Sequence, residues 1–234
     1  MNRYRALFFD ADDTLFDYPA AERAALTAVL GRFRIPLPME SIIPAYRRHN
    51  LNLWREFEQG RTTQDSLREE RFRRLFAEFR IGRVPIRAIS DSYLESLSDN
   101  SQLLDGALEM VSGLATLLPL VLVTNGIGRV QRSRFRHSPI TRYFQTVIIS
   151  EEAGFAKPDP RILEPALNEL NIVASEALLI GDSVSSDMAC ARNAGMDFCW
   201  YNPDGLPSPA DYIPRFTIKE LAEITVLMNP PNSL

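Results

Sequence analysis

Carboxylates that directly follow a short apolar run are the residues of this chain best suited to do chemistry. Asp10 and Asp12 come after the run Ala6–Phe9. Because they are two residues apart in an extended chain, their side chains point the same way, and Asp13 points the other way. Like charges at one strand end cost stability unless a divalent metal ion or an acid/base role offsets them. The cluster therefore predicts a metal site or acid/base catalysis, with solvated loop acids as the alternative.

Further polar groups follow apolar runs later in the chain. They are Thr124, Asn125 and Gly126 after the run 120–123, Lys157 in a Lys-Pro-Asp-Pro loop, and Asp182 after the run 178–180, with Asp187 about one helical turn beyond. Each motif alone is typical of an ordinary turn or helix start. Together they supply acids, a hydroxyl and a scarce lysine at the loop positions where an α/β sheet assembles its site.

This set of groups suits the transfer of a phosphoryl group from a phosphomonoester. Attack by a carboxylate on phosphorus gives an aspartyl-phosphate and divides a difficult step into two easier ones. Nucleophile and phosphate are both anionic, so a metal ion must neutralise and align them. Threonine and lysine would bind the remaining phosphoryl oxygens. A second aspartate would protonate the leaving alcohol and then remove a proton from the attacking water.

Helical and strand patterns alternate along most of the chain. Strands are predicted at 6–9, 120–123, 147–149, 178–180 and 198–201, and helices at 107–117, 129–136, 161–170 and 186–194. Repeated αβ units of this kind predict an α/β fold with a doubly wound, Rossmann-like parallel sheet. In such sheets, ligands bind outside the carboxyl ends of the strands, where the polar motifs lie.

The segment 18–98 contains helical patterns alone. Helices are predicted at 20–33, 41–59, 64–80 and 86–97, separated by glycine and proline. We therefore expect an α-helical cap at 18–98, inserted after the first strand, and a core domain made of 1–17 and 99–234. The segment carries 14 arginines against 10 acids. This excess favours either a solvated helix surface or attraction of an anionic small molecule.

Composition excludes several classes of protein. The chain has 234 residues, 45% of them hydrophobic and 24% charged, as in ordinary globular proteins. No apolar run approaches the roughly 20 residues that span a bilayer, and no signal peptide is evident. We expect a cytoplasmic monomer or weak dimer with no membrane partner. A net charge of −4 argues against a nucleic acid polymer as partner, and Cys190 and Cys199 are expected to be buried, reduced thiols.

The motifs, in this order, resemble those of the haloacid dehalogenase-like hydrolase superfamily. They are Asp10-Ala-Asp12-Asp-Thr14, Thr124 after an apolar strand, Lys157-Pro-Asp-Pro, and Gly181-Asp182 with Asp187. The resemblance implies that Asp10 is the nucleophile and Asp12 the acid/base. It also implies that Thr124 and Lys157 are catalytic residues that bind phosphate together with Asn125 and Gly126.

The same resemblance implies a Mg²⁺ cofactor. Asp10, Asp182 and the backbone carbonyl of Asp12 would hold the ion. Asp187 would support the metal-bound water or Lys157.

Finer details resemble the YjjG-type pyrimidine 5'-nucleotidases of that superfamily. Among these details are Leu53-Trp54 in the helical segment, Thr-Asn-Gly at 124–126 and Asn-Ala-Gly at 193–195. The implied substrates are the nucleoside monophosphates UMP, dUMP and TMP. Phe16, Tyr46 and Trp54 are candidates to stack against the base, and aromatic residues at helical spacing are also typical of a core.

Several alternatives remain at this stage. They are a phosphatase for another small ester such as phosphoglycolate or a sugar phosphate, a sugar phosphomutase, and a haloacid dehalogenase. Dehalogenases of this fold lack an acid two residues after the nucleophile, so Asp12 argues against them. A dinucleotide fingerprint at 126–131 lacks its third glycine, and an esterase motif at 181–183 lacks a supporting histidine pattern. A non-catalytic binding protein on the same fold is the remaining alternative.

Overall fold

The apolar runs of the sequence form one parallel β-sheet. The computed structural model of the protein describes residues 3–210 and 212–228, so the predicted core segments 1–17 and 99–234 extend beyond them. The strands are β1 (Ala6–Phe9), β2 (Leu120–Thr124), β3 (Thr146–Ile149), β4 (Ala177–Gly181), β5 (Asp197–Tyr201) and β6 (Phe216–Ile218). Their order is β3-β2-β1-β4-β5-β6, and all neighbours are parallel. The predicted doubly wound sheet is confirmed.

Five of the strands lie within one residue of their predicted bounds, and β6 was not predicted. The three residues of β6 are too short a run to give a strand pattern, and its pairing with β5 decides its conformation. β1, β2 and β4 are buried along their whole length. Near-continuous apolar strands of this kind are typical of sheets covered on both faces.

Helices fill the segment between β1 and the next core element. They are α1 (Tyr18–Arg32), α2 (Met39–Glu58), α3 (Gln64–Glu78) and α4 (Ile86–Ser98). Asp17 begins α1, because its Oδ1 accepts the N–H of Ala20 at 2.9 Å, and Thr63 caps α3 in the same way. These four helices, here called the helical insert, bury their own hydrophobic cluster, to which Ile127 and Val130 also belong.

The remaining helices cover the two faces of the sheet. They are α5 (Ala107–Leu114), α6 (Gly128–His137), α7 (Ser150–Ala153), α8 (Glu164–Leu170), α9 (Ala189–Ala194) and α10 (Ala222–Met228). Leu7 and Phe9 of β1 pack into one hydrophobic cluster, and Ala6 and Phe8 pack into another. This alternation follows from the two-residue period of a strand.

Two predicted core helices begin with a different geometry. The residues before α8 form a 3₁₀ turn, Pro160–Leu163, and those before α9 form a π-helical turn, Val184–Met188. The π turn includes Asp187, and such turns are frequent at functional sites. No helix in the described ranges is both long and apolar enough to cross a membrane.

Both cysteines are expected to resist thiol reagents while the protein is folded. Cys190 and Cys199 are fully buried and unpaired, and burial raises the pKa of each thiol to about 12. At pH 8 both groups are therefore protonated, and the thiolate is the reactive form. Titration with a chromogenic disulfide should detect no fast-reacting thiol in native protein and two in denaturant. Rapid native labelling would contradict this packing.

Candidate active site

Three central strands end at the same edge of the sheet, and each is followed by a predicted site residue. Asp10 comes directly after β1, Thr124 is the last residue of β2, and Asp182 comes directly after β4. β1 lies between β2 and β4 in parallel register. The backbone N–H of Asp10 also donates to the carbonyl of Ile180 at 2.9 Å. The pairing of β1 with β4 therefore fixes the backbone position of Asp10 at the edge of the sheet.

An acidic cluster forms at this edge. Carboxylate oxygens of Asp10, Asp182 and Asp187 all lie within 4.8 Å of one another. The ammonium of Lys157 pairs with Asp10 and lies 2.6 Å from Asp187. Lys157 also donates to the carbonyl of Val123 at 3.0 Å, and its side chain is only 1% exposed. The structure therefore brings together four predicted residues from distant parts of the chain.

Burial and like charge disturb the ionisation of this cluster. Burial, and then the charge of Asp187, hold the pKa of Asp10 well above its usual range, although Lys157 opposes the shift. The same two causes raise the pKa of Asp182 to about 8. Burial disfavours the charge on Lys157, but the carboxylates of Asp10 and Asp187 outweigh it and raise the pKa of the ammonium. Burial and like charge therefore both act against ionisation of these carboxyl groups, and one lysine does not fully offset them.

This donor set fits a hard divalent cation. Mg²⁺ prefers oxygen ligands and is usually held by one or two carboxylates together with substrate phosphate. Asp10 and Asp182 meet that description, as predicted. Asp187 also accepts the N–H of Ser183 at 3.0 Å, so its position is fixed by the loop after β4 as well as by Lys157.

Gly181 is required by this arrangement. A Cβ atom at residue 181 would lie 2.6 Å from Cγ of Asp187 and would overlap the carboxylate. The absence of a side chain therefore lets Asp187 approach the end of β4 closely. The Gly-Asp motif serves the placement of Asp187 as well as that of Asp182.

Asp12 is held by two α6 residues that the sequence analysis did not identify. Arg134 Nη1 donates to Asp12 Oδ1 at 2.5 Å, and Gln131 Nε2 donates to Asp12 Oδ2 at 2.9 Å. Arg134 also donates to Gln131 Oε1 at 2.8 Å. Both side chains are buried, so they fix the Asp12 carboxylate beside the cluster. Gln131 and Arg134 are three residues apart on the helix that follows Thr124. This spacing is the sequence signal that could have placed both on one helix face.

Gln131 also links Asp12 to Thr124. Its Nε2 donates to Thr124 Oγ1 at 3.0 Å. The Thr124 hydroxyl accepts this bond and therefore keeps its own proton to donate elsewhere. A Cβ atom at Gly126 would lie 2.6 Å from Cγ of Gln131, so glycine at 126 makes room for this link.

The predicted phosphate-binding residues Asn125 and Gly126 line the cavity and also bond to neighbouring loops. The amide of Asn125 donates to the carbonyl of Lys157 at 2.7 Å, and its Oδ1 accepts the Lys157 N–H at 2.8 Å. The N–H of Gly126 donates to Ser150 Oγ at 3.2 Å. Asn125 therefore positions the lysine loop, and the phosphate contacts of Asn125 and Gly126 stay a prediction.

A cavity of about 410 Å³ opens above the carboxylates. Its floor contains Asp10, Asp12, Thr124 and Lys157, and its opposite wall comes from the helical insert. The wall from α2 consists of Arg47, Asn50, Leu51, Trp54 and Glu58. These residues recur at three- and four-residue spacing, so one helix face covers the site. The volume lies within the range of small-molecule sites.

Only one of the three predicted base-stacking residues faces this cavity. Trp54 lines it. Phe16 is fully buried against Phe135, and Tyr46 is fully buried between Phe72 and Tyr93. The prediction is therefore wrong for Phe16 and Tyr46, because both complete hydrophobic clusters, and it stays a prediction for Trp54.

Curated relatives cover nearly the whole length of the chain. The HAD-hydrolase YfnB of Bacillus subtilis is 34% identical over 235 residues, which is 100% of this chain and 99% of that protein. The pyrimidine 5'-nucleotidase PynA of Streptococcus pneumoniae is 32% identical and covers 92% of this chain and 91% of its own length. The pyrimidine 5'-nucleotidase YjjG of Escherichia coli is 28% identical, with 95% and 96% covered.

A solved structure and a family model agree with these relatives. A crystal structure of YfnB from Bacillus subtilis, bound to magnesium and described as revealing interdomain movement, matches 97% of this chain and 99% of its own, with a TM-score of 0.90 and 35% identity. The model of the haloacid dehalogenase-like hydrolase family matches residues 7–201, from β1 to the end of β5. The chain belongs to the haloacid dehalogenase-like hydrolases.

Proposed function

We propose that the protein is a Mg²⁺-dependent phosphomonoesterase that hydrolyses pyrimidine nucleoside 5'-monophosphates through an aspartyl-phosphate on Asp10. The observation that carries the phosphatase assignment is the position of Asp12. Its carboxylate lines the same cavity as Asp10 and is fixed by Gln131 and Arg134. An alkoxide leaving group needs a proton, whereas a halide does not, so a fixed second carboxylate favours phosphate esters over haloacids.

In the first step, Asp10 attacks phosphorus and the ester oxygen leaves. The new bond joins a carboxylate oxygen of Asp10 to phosphorus, and the bond to the leaving oxygen breaks. Asp12 donates a proton to that oxygen, which leaves as an alcohol. In the second step, Asp12 removes a proton from water, the water oxygen attacks phosphorus, and the bond to Asp10 breaks to release phosphate.

Charge on the transferred group is stabilised by groups that are already in place. The free proton of the Thr124 hydroxyl and the ammonium of Lys157 are the donors for phosphoryl oxygens. Asp187 keeps Lys157 charged and directed at the site. A Mg²⁺ ion held by Asp10, Asp182 and the Asp12 carbonyl would neutralise the anionic nucleophile and substrate.

The helical insert would act as a cap over this chemistry. The α2 face that covers the cavity excludes water from the carboxylates, and product must leave past it. Among the described residues, ion pairs between Arg68 and Glu151 and between Arg129 and Asp91 join the insert to the core. We propose domain boundaries at 17/18 and 98/99 on the same grounds, since α1 begins at Tyr18 and α4 ends at Ser98.

The nucleotide preference rests on the two pyrimidine 5'-nucleotidase relatives and on Trp54 in the cavity wall. An aromatic face beside apolar side chains suits a flat base.

A panel of UMP, dUMP, TMP, sugar phosphates and 2-chloropropionate, each with Mg²⁺ and with EDTA, tests the proposal. Metal-dependent phosphate release from the pyrimidine nucleotides is expected. Preference for sugar phosphates would overturn the substrate assignment, and halide release would overturn the phosphatase assignment. A bisphosphate requirement would indicate a mutase.

A further inference from the structure

A buried arginine in the helical insert has fewer hydrogen-bond partners than a buried guanidinium group usually has. Arg71 lies in α3, is 2% exposed and lines the cavity. Its Nε donates to the carbonyl of Arg68 at 3.2 Å, and its Nη1 reaches Asn50 Oδ1 at 3.5 Å. Its Nη2 has no hydrogen-bond partner in the described part of the chain. Buried guanidinium groups are ordinarily paired, so this one lacks an acceptor.

Packing holds the Arg71 guanidinium in place. It lies over three aromatic rings, 4.7 Å from the centroid of Tyr93, 5.6 Å from that of Phe72 and 5.9 Å from that of Tyr46. Cation–π contacts of this kind stabilise the charge without using its N–H groups. No acid among the described residues forms an ion pair with it, and the carboxylate of Glu22 is taken by Arg47 at 2.5 Å. The Nη2 donor of Arg71 is therefore held in place without an acceptor in the described part of the chain.

Asn50 contacts this arginine, and Trp54 lines the same cavity. They are four residues apart on α2 and share the face that lines the cavity. Asn50 is buried, and its Oδ1 is turned to Arg71. Trp54 supplies an aromatic surface, with Leu94 and Leu97 also in the wall. The wall from the helical insert thus combines an aromatic and apolar surface with an unpartnered N–H donor, in the same cavity as the carboxylates that would process the phosphate.

We propose that Arg71 and Asn50 form the subsite for the base of the nucleotide, in which the arginine donates to a ring carbonyl oxygen of uracil or thymine while Trp54 covers the ring. This inference rests on the proposed function. Arginine has donors and no acceptor, so the 4-carbonyl of uracil satisfies it, whereas the 4-amino group of cytosine presents a second donor. The subsite should therefore favour UMP over CMP.

Asn50→Asp is the sharpest test, because it gives Arg71 an internal carboxylate without changing side-chain size. We expect kcat/KM for UMP to fall about 10- to 100-fold, the usual effect of losing one buried hydrogen bond to a charged group. Hydrolysis of ribose 5-phosphate, which has no base, should fall much less than hydrolysis of UMP. The melting temperature should not fall, since the new pair satisfies a buried charge.

Arg71→Met gives a second, independent result, with Arg74→Met on the same helix as its matched control. Arg74 is paired with Glu56 and Glu70 and does not line the cavity. Arg71→Met should lower the UMP to ribose 5-phosphate ratio of kcat/KM about 10- to 100-fold and reduce the preference for UMP over CMP. Arg74→Met should change neither. If Arg71→Met does not fold, the Asn50→Asp result alone tests the assignment of the base subsite.

The outcomes separate this inference from the proposed function. If the wild-type enzyme hydrolyses UMP well and both variants keep its UMP to ribose 5-phosphate ratio, the subsite assignment is overturned and the nucleotidase proposal stands. If both substrates lose rate equally in the variants, Arg71 serves the fold alone, which also overturns the subsite. If wild-type protein does not hydrolyse UMP, both proposals fail together.

Discussion

Asp10→Asn should abolish phosphate release from every ester, with a loss of roughly four to six orders of magnitude in kcat. The amide is a poor nucleophile and cannot form the acyl phosphate, although its size matches the carboxylate. Phosphate release measured from UMP and from p-nitrophenyl phosphate should show the same loss. The folded state should persist, because replacement removes one of the crowded buried charges of the cluster.

Asp12→Asn is the informative control for this experiment. With p-nitrophenyl phosphate, whose leaving group needs no proton, it should still form the phosphoenzyme and give a burst of about one nitrophenolate per enzyme. Hydrolysis of that intermediate needs the base and should be slow. Asp10→Asn should give no burst. A burst from Asp10→Asn, or phosphate release comparable to wild type, would show that another group is the nucleophile.

Lys157→Met should destabilise the metal-free protein by about 3–5 kcal/mol, as removal of one partner from a buried ion pair does. For a chain of this length the melting temperature would fall by roughly 6–20 °C. Lys157 is the only cation that the described residues place within ion-pair distance of Asp10 and Asp187. Its loss leaves three neighbouring carboxylates without compensation. Thermal unfolding followed in EDTA measures this effect.

Lys219→Met is the matched control, since Lys219 is the other lysine of the chain and is exposed. That variant should change the free energy of unfolding by less than about 0.5 kcal/mol. Millimolar Mg²⁺ should recover part of the stability lost in Lys157→Met, because a bound cation replaces the missing charge. Equal melting temperatures for the two variants in EDTA would contradict the role assigned to Lys157.

Residues that follow strands could be placed from the sequence. Asp10, Thr124 and Asp182 each come at the end of an apolar run, and parallel strands bring their carboxyl ends to one edge. Local sequence therefore determined both the strand and the position of the polar group. Lys157 and Asp187 followed from their motifs, and the structure places both in the same cluster.

Residues on helices could not be placed in the same way. Gln131 and Arg134 reach Asp12 because of the rotation of α6 against the sheet, which its sequence pattern does not specify. Tyr46 and Phe16 were misplaced because burial depends on which helices or loops pack over them. Arg71 belongs to a segment rich in arginine, where a solvated surface is the usual interpretation, and only the packing of three aromatic rings removes it from water.

The central position of β1 has a consequence for how the chain acquires its structure. Residues 6–9 pair with β2, more than 100 residues later, and with β4, about 170 residues later. Contacts so distant in sequence carry a large loop-closure entropy and slow folding. During synthesis β1 is made before its partner strands, so it remains unpaired while the four helices of the insert, whose contacts are local, can pack around their own cluster. The acidic cluster therefore cannot form until β4 and Asp187 have been synthesised.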